Sequence, residues 1–182
     1  RSKLAATKSS IIMLPALQSI DSLVVRCPNW VGDIVMATPV FECLRTNFPH
    51  AMITALVRPY AKGILEDSPW FNFIVDCQDK NLKGLEVIRN TFSQTKPKMG
   101  LLLPNTTHSY LTFKYAGIPL IYGYKRNLRK FFLQGPKPIV ESGKYKPLPM
   151  QDYYLELCRF LELDIPEHPK PKLYISDQLQ GK

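Results

Sequence analysis

The 182-residue sequence lacks several patterns that carry well-defined chemistry. It has no G-x-G-x-x-G or P-loop pattern to cradle the phosphates of a nucleotide. Its four cysteines form no C-x-x-C pair and stand near no histidine at metal-ligand spacing, which predicts a reduced protein without a metal site. The sequence shows no recognisable Ser-His-Asp or Cys-His combination of the kind that forms a nucleophilic catalytic site. No apolar run approaches the about 18 residues that a membrane span requires.

Acidic residues are scarce: 15 stand against 24 basic residues, a formal charge of +9. Residues 114–146 hold eight basic residues and one acidic residue, Glu141, and therefore carry most of this excess. A solvated face explains such a stretch, but so does a partner bearing phosphates or carboxylates. Because no nucleic-acid-binding motif is present, nucleic acid is not the expected partner. The eight basic residues are Lys114, Lys125, Arg126, Arg129, Lys130, Lys137, Lys144 and Lys146.

Apolar runs typical of strands alternate with runs at helical spacing, which predicts an α/β fold with a mainly parallel sheet. The predicted strands cover residues 22–28, 51–57, 71–77, 98–105 and 118–124. The predicted helices cover 33–49, 60–69, 81–96, 109–117 and 150–164. After residue 124 the pattern loosens into a basic, proline-bearing stretch. The predicted organisation is an extension of uncertain role over 1–21, for which a signal peptide is one reading, a domain over 22–165 and a linker over 166–182.

A carboxylate stands at the seam between the first strand and the first helix, in "PNWVGD". In an open parallel sheet, ligands bind outside the carboxyl ends of the strands, where this loop lies. Gly32 would allow a tight turn or the close approach of a ligand, and Asp33 would lie near the start of the helix. From residue types alone, Asp33 is either a helix cap or a catalytic base, and Trp30 either packs or binds.

A second strand end carries polar side chains, in "LLLPNTTHS". Asn105 and Thr106 can donate and accept hydrogen bonds, as a sugar-binding site requires. Turn and N-cap chemistry explains the same residues without any ligand. His108 is expected to be a surface histidine or a residue at the start of a helix.

Three blocks together resemble the lipopolysaccharide heptosyltransferases of glycosyltransferase family 9, most closely the type II enzymes. They are "RCPNWVGDIVMATPVFECLR", "LLLPNTTHSYLTFKYAGIPLIYGYKRNLRKFFL" and "MQDYYLELCRFL". The resemblance implies a GT-B enzyme with two Rossmann-like domains, of which this chain is the N-terminal, acceptor-binding half. It implies an inverting transfer from ADP-heptose to a Kdo-lipid A type acceptor, without a metal or other cofactor. The donor is expected to bind mainly to a C-terminal domain that this sequence does not include, so the chain alone is expected to be inactive.

The resemblance also implies roles for individual residues. Asp33 matches the family's general base, and Asn29, Trp30 and Gly32 belong to the same motif. We expect anionic groups of the acceptor, or the anionic inner face of the inner membrane, to be held by Arg126, with Arg129, Lys130 and Arg58 as further candidates. A cytoplasmic protein at the membrane surface is therefore expected. Two alternatives stay open: a relative with another donor sugar, and a non-catalytic basic module for anionic glycolipid or nucleic acid.

Overall fold

The computed structural model describes Leu17 and residues 19–175, and these form an open sheet of five parallel strands. The strands are β1 (Ser22–Arg26), β2 (Met52–Val57), β3 (Phe73–Asp76), β4 (Met99–Leu102) and β5 (Leu120–Gly123). Their spatial order is β3-β2-β1-β4-β5, so the chain crosses over at β1, which pairs with both β2 and β4. Such an order is that of a Rossmann-like sheet, and the predicted fold class is confirmed.

Helices cover both faces of this sheet. Among the described residues the α-helices are α1 (Val31–Asn47), α2 (Leu82–Thr95), α3 (Thr107–Tyr115) and α4 (Met150–Phe160). Two 3₁₀ helices, Pro59–Ile64 and Asn127–Phe131, and an antiparallel hairpin of β6 (Val140–Glu141) and β7 (Lys144–Tyr145) complete the structure. The helix predicted over 60–69 is thus a shorter 3₁₀ helix. The second 3₁₀ helix and the hairpin lie in the basic stretch, for which the sequence predicted no regular secondary structure.

Strand β1 lies at the centre of the core because both of its faces are covered. All five of its residues are buried. Leu23 and Val25 pack in the apolar cluster beneath α1 and α4, whereas Val24 packs in the cluster beneath α2 and α3. Successive side chains of a strand point to opposite faces, so a strand buried on both sides reads as one continuous apolar run. This burial leaves the strand ends as the places where polar side chains gather.

Helix α1 contains a proline, Pro39, and a neighbouring hydroxyl compensates for it. A proline inside a helix has no N–H to donate to the carbonyl four residues earlier, here that of Val35. The hydroxyl of Thr38 donates to that carbonyl oxygen over 2.8 Å. The helix therefore continues to Asn47 and keeps its packing against α4.

The packed unit extends slightly beyond the predicted domain boundaries. Leu17 and Ile20 are buried in the core, so the packed unit begins before residue 22. Gln18 and residues 1–16 of the predicted extension lie outside the described residues. Residues 166–175 have no regular secondary structure but lie along α1: the backbone N–H of Lys172 donates to Thr38 Oγ1 over 2.9 Å, and the ring of Tyr174 packs edge-on against Trp70. A linker over 166–182 stays a prediction, and residues 176–182 lie outside the described part.

We expect Gly84→Ala to destabilise the protein because α2 begins against the loop that follows β3. A Cβ atom at Gly84 would lie 1.7 Å from the backbone oxygen of Gln78, so the first turn of α2 would have to shift. Overpacking of this kind lowers the free energy of unfolding by about 1–3 kcal/mol, which urea unfolding followed by circular dichroism measures.

Gly63→Ala is the matched control, because a Cβ atom there has no heavy atom within 4 Å. It should leave the free energy of unfolding within about 0.5 kcal/mol of the original protein. Equal effects of the two substitutions would contradict the close approach at Gly84.

Candidate active site at the strand ends

Asp33 lies in the first turn of α1, directly after the loop that leaves β1. The N-cap of this helix is Trp30, which makes no side-chain capping bond, and Asp33 is the third residue of the helix. The carboxylate has no hydrogen-bond or salt-bridge partner among the described residues. The capping interpretation is therefore wrong. A negative charge in the first turn still interacts favourably with the helix dipole, and the carboxylate is left available for other chemistry.

Helix α4 lies beside this carboxylate. The pKa of Tyr154, a buried residue of α4, is raised first by burial and second by the negative charge of Asp33. Asp33 thus lies near α4 and is partly exposed to solvent. Catalysis by Asp33 stays a prediction.

Gly32 is exposed, and its φ angle is not positive, so no tight turn requires glycine there. A Cβ atom at this position would meet nothing within 4 Å. The predicted tight turn is therefore wrong. The open space over Gly32 is compatible with the other predicted role, the close approach of a ligand to the backbone.

Two arginines at the ends of β1 and β2 hold the loop before α1. The Oδ1 atom of Asn29 accepts one hydrogen bond from Arg26 over 2.8 Å and another from Arg58 over 3.2 Å. The hydroxyl of Tyr60 donates to the backbone oxygen of Asn29. The side chain of Asn29 thus fixes the loop that leads to Asp33, and its oxygen is occupied within the protein.

Asp79 completes this network, and the sequence reasoning missed it. Its side chain is 1% exposed, and Oδ1 lies 2.8 Å from an Arg58 amino group. His108 Nε2 lies 2.8 Å from the backbone oxygen and 3.5 Å from Oδ2 of the same residue. Burial opposes ionisation of Asp79, but the charges of Arg26 and Arg58 outweigh it and hold its pKa below the usual range. The sequence did offer one indication of its role: Asp79 lies three residues after β3, in a strand-end loop like those after β1 and β4 that were singled out.

A groove of about 510 Å³ opens between the loops that follow β1, β2 and β3. Two exposed aromatic rings flank it: Trp30 is 76% exposed and Tyr60 is 68% exposed. The groove combines these rings with the cationic side chains of Arg58 and Lys80. An aromatic wall beside positive charge suits a sugar that carries an anionic group. Its lining residues are Asn29, Trp30, Arg58, Pro59, Tyr60, Cys77, Gln78, Lys80 and Asn81.

The polar residues after β4 are used within the protein. Thr106 is the N-cap of α3, and its hydroxyl accepts from the backbone N–H of Ser109 over 3.2 Å, which confirms the capping interpretation. The amide nitrogen of Asn105 donates to the hydroxyl of Tyr153 over 2.7 Å, and its oxygen accepts from Arg129 over 3.0 Å. His108, the second residue of α3, is exposed, as expected of a residue at the start of a helix.

Arg129 differs from its predicted role. Its side chain is buried and donates to the backbone oxygens of Pro104 and Tyr124, at 2.9 and 3.0 Å, as well as to Asn105. A guanidinium enclosed in this way ties the β4 and β5 loops together and cannot itself reach an acceptor. The prediction of direct acceptor binding by Arg129 is corrected to a structural role.

Arg126 lines a second groove, of about 400 Å³, that also contains Asn105 and Tyr153. Its guanidinium lies 4.1 Å from the centre of the Tyr145 ring, and its buried Nε atom has no hydrogen-bond partner. Burial opposes its charge, but hydrogen bonds with Tyr153 and Tyr145 outweigh that effect and raise its pKa. Lys130 is exposed on the neighbouring turn. Arg58 and Arg126 thus line different grooves, both on the side of the sheet where the carboxyl ends of the strands lie.

In the described part of the chain, no helix is both long and apolar enough to cross a bilayer. Within the same residues, no three His, Cys, Asp or Glu side chains lie close enough together to hold a metal ion. The four cysteines are buried free thiols.

The fold is that of one Rossmann-like half of the GT-B glycosyltransferase structures on which the chain superposes. The chain superposes on a glycosyltransferase of family 9 from Veillonella parvula with a TM-score of 0.73 at 20% identity, covering 87% of this chain and 46% of that one. It superposes on Escherichia coli ADP-heptose lipopolysaccharide heptosyltransferase II with a TM-score of 0.64 at 22% identity, covering 86% and 47%. These structures establish the fold.

The sequence comparisons point to the same proteins. Lipopolysaccharide heptosyltransferase 2 of Escherichia coli K12 is 24% identical over 107 residues, 56% of this chain and 30% of that protein. Lipopolysaccharide heptosyltransferase 3 of Escherichia coli is 34% identical over 65 residues, 36% of this chain and 19% of that protein. No protein-family model matches. The chain is thus similar to lipopolysaccharide heptosyltransferases, and it spans less than half the length of these relatives.

We expect Asp79→Asn to lower the free energy of unfolding near pH 7 by about 3–5 kcal/mol, because it leaves buried positive charge without its partner. A carboxyl group with a depressed pKa stabilises the fold above its unfolded pKa of about 3.9 and loses this effect as the pH falls through its folded pKa. The difference between the two proteins should therefore shrink below about pH 4. Urea unfolding between pH 7 and pH 3 measures it.

Asp21→Asn is the control, because the Asp21 carboxylate is exposed and pairs with an exposed Lys98. Water screens such a pair, so its removal should change stability little. A difference between the original protein and Asp79→Asn that stayed constant down to pH 3 would show that the carboxylate charge is not the stabilising feature.

Proposed function

We propose that this chain is the acceptor-binding half of an inverting glycosyltransferase that transfers heptose from ADP-heptose to the inner core of lipopolysaccharide, on a Kdo-lipid A type acceptor. The observation that carries the proposal is the unpaired carboxylate of Asp33 in the first turn of α1, after the loop that leaves β1, in a chain similar to the heptosyltransferases. We place the reaction at the cytoplasmic face of the inner membrane, where a lipid-linked acceptor would lie.

In this reaction Asp33 acts as the general base. It accepts the proton of the acceptor hydroxyl while that oxygen attacks the anomeric carbon of the donor, and ADP leaves from the opposite face of the sugar. The position suits this role because the carboxylate lies at the carboxyl edge of the sheet and forms no bond that would have to be broken first. The Arg26, Asn29 and Arg58 network holds the loop before it in place.

The donor is held by a second domain. Two features support this division: the sequence contains no phosphate-cradling loop, and the chain covers 46–47% of the solved structures that it resembles. The grooves around Arg58 and Arg126 supply positive charge for the acceptor, whose phosphates and carboxylates such side chains bind. By itself the chain transfers no sugar.

We expect Asp33→Asn, made in the full polypeptide that the gene encodes, to lower kcat by about 10²- to 10⁴-fold, because the amide cannot accept the proton. The KM for the acceptor should change little. Steady-state transfer from ADP-heptose to Kdo-lipid A measures both constants.

The control for this substitution is Asp21→Asn, at the opposite edge of the sheet, which should keep full activity. Unchanged turnover in Asp33→Asn would overturn the assignment of the base. Faster transfer from another sugar nucleotide than from ADP-heptose would leave Asp33 in place but change the donor. An inactive full polypeptide that still binds the acceptor would favour the non-catalytic alternative.

We expect Arg126→Ala to raise the KM for the acceptor by about 10- to 150-fold, because a charged hydrogen bond to an anionic group contributes about 1.5–3 kcal/mol. The kcat should stay within about twofold, since Arg126 binds the acceptor and does not transfer the proton. Initial rates at several salt concentrations measure the effect, which salt should diminish.

Arg126→Lys is the matched substitution: it keeps the charge but loses the planar group that stacks over Tyr145, so it should recover part of the affinity. An unchanged KM and salt dependence in Arg126→Ala would overturn this part of the proposal.

A further inference from the structure

Four large apolar side chains protrude beside the second groove. Leu128, Phe131 and Phe132 belong to the 3₁₀ turn after β5 or follow it directly, and they are 66%, 70% and 65% exposed. Val140 of the hairpin is also exposed and lines the same depression as Leu128 and Phe131. An apolar cluster of this kind on a protein surface marks a site where another molecule docks.

Lysines surround these apolar side chains. Lys125, Lys130 and Lys137 line the same depression, which has a volume of about 950 Å³. None of the three has a salt-bridge partner in the described part of the chain, and the ammonium group of Lys130 lies 5.0 Å from the centre of the Phe131 ring. Positive charges around an apolar centre are the pattern of a surface that meets an anionic bilayer.

The turn is held from behind, so its apolar side chains stay on the outside. Arg129, between Leu128 and Lys130, points inward and donates to the backbone oxygens of Pro104 and Tyr124. Leu133, at the end of the turn, is buried in the core. The protein thus does not have to reorganise to present Leu128 and Phe131 to a partner.

We propose that this basic apolar surface, formed by Lys125, Leu128, Lys130, Phe131, Lys137 and Val140, inserts its apolar side chains into the headgroup region of a bilayer that contains anionic phospholipid. Aliphatic Leu128 and Val140 offer nucleic acid neither a hydrogen bond nor a stacking face, which disfavours that partner. A second copy of the chain would bring the same lysines face to face, which disfavours self-association.

The basic apolar surface adjoins the groove of Arg126. The two depressions share Lys137, Pro138 and Tyr145, and the groove of Arg126 also contains Asn105 at the end of β4. A lipid-linked acceptor in the same bilayer would therefore meet the strand-end site directly. This consequence rests on the proposed function, whereas bilayer binding does not.

The experiment labels the chain with an environment-sensitive fluorophore at Phe131→Cys. The four native cysteines are buried, so the introduced thiol is the one that reacts readily. Vesicles of phosphatidylcholine with phosphatidylglycerol should shift the emission to the blue, and vesicles of phosphatidylcholine alone should shift it much less. The same label at Phe73→Cys should not respond, because β3 lies at the opposite edge of the sheet from β5.

Vesicle co-sedimentation of unlabelled variants separates insertion from electrostatic attraction. Leu128→Ser with Phe131→Ser should weaken binding about tenfold. Lys125→Ala with Lys130→Ala should weaken it about 30-fold, since each lysine near an anionic surface contributes about fivefold. Leu82→Ser with Phe73→Ser, an exposed leucine (80%) and phenylalanine (47%) elsewhere on the surface, should bind like the original chain. Circular dichroism confirms that each variant is folded.

Several results would overturn the proposal. They are the absence of binding to anionic vesicles, full binding by the Leu128→Ser and Phe131→Ser variant, and a label at position 131 that responds to an oligonucleotide but not to vesicles. A concentration-dependent dimer that these serines abolish, without vesicle binding, would identify a second copy as the partner instead. None of these assays contains a donor or acceptor, so their failure leaves the transferase proposal standing. Unchanged turnover in Asp33→Asn, which would overturn the assignment of the base, leaves bilayer binding standing.

Discussion

One buried carboxylate, Asp79, neutralises the positive charge that gathers where three parallel strands end. Arg26, the last residue of β1, is buried, and Arg58 directly follows β2. The positive charges of both arginines stabilise the carboxylate of Asp79, which follows β3. Burying two guanidinium groups away from water would cost considerable free energy without a nearby negative charge. With it, they serve as rigid donors that bind Asn29 from two sides. The loop before α1, and hence the position of Asp33, depends on this balance of charge.

Rigidity at the strand ends matters because Asp33 itself is bound to nothing among the described residues. The general base that we propose Asp33 to be would gain its efficiency from being held within reach of the proton that it accepts, and the scaffold around Asp33 supplies that order. Arg26 and Arg58 hold the loop before α1, and packing against α4 holds the helix itself. The carboxylate of Asp33 lies where this loop and this helix meet. The aromatic rings of Trp30 and Tyr60 remain exposed at the mouth of the adjacent groove.

The basic stretch shows how burial assigns different roles to residues of like charge. Arg129 is enclosed and ties two loops together, Arg126 is half buried over Tyr145, and Lys130 is exposed beside Phe131. The sequence could predict the excess of charge but not this division, because the 3₁₀ turn that separates the three residues depends on the carbonyl groups of Pro104 and Tyr124. Pro104 lies 25 residues from Arg129 in the sequence, so the basic stretch by itself does not reveal this contact.

The order of strands and helices could be predicted from the sequence alone, since a strand buried on both faces appears as a continuous apolar run, as in β1. The sequence also determined that Asp33 would follow the first strand. The tertiary structure alone decided which polar groups were already occupied. Thr106 caps a helix, Arg129 is buried, and Asp33 is neither a cap nor paired. Asp79 acquired its importance in the same way, because hydrogen bonds depend on distance in space, and its partners Arg58 and His108 lie 21 and 29 residues away in the sequence.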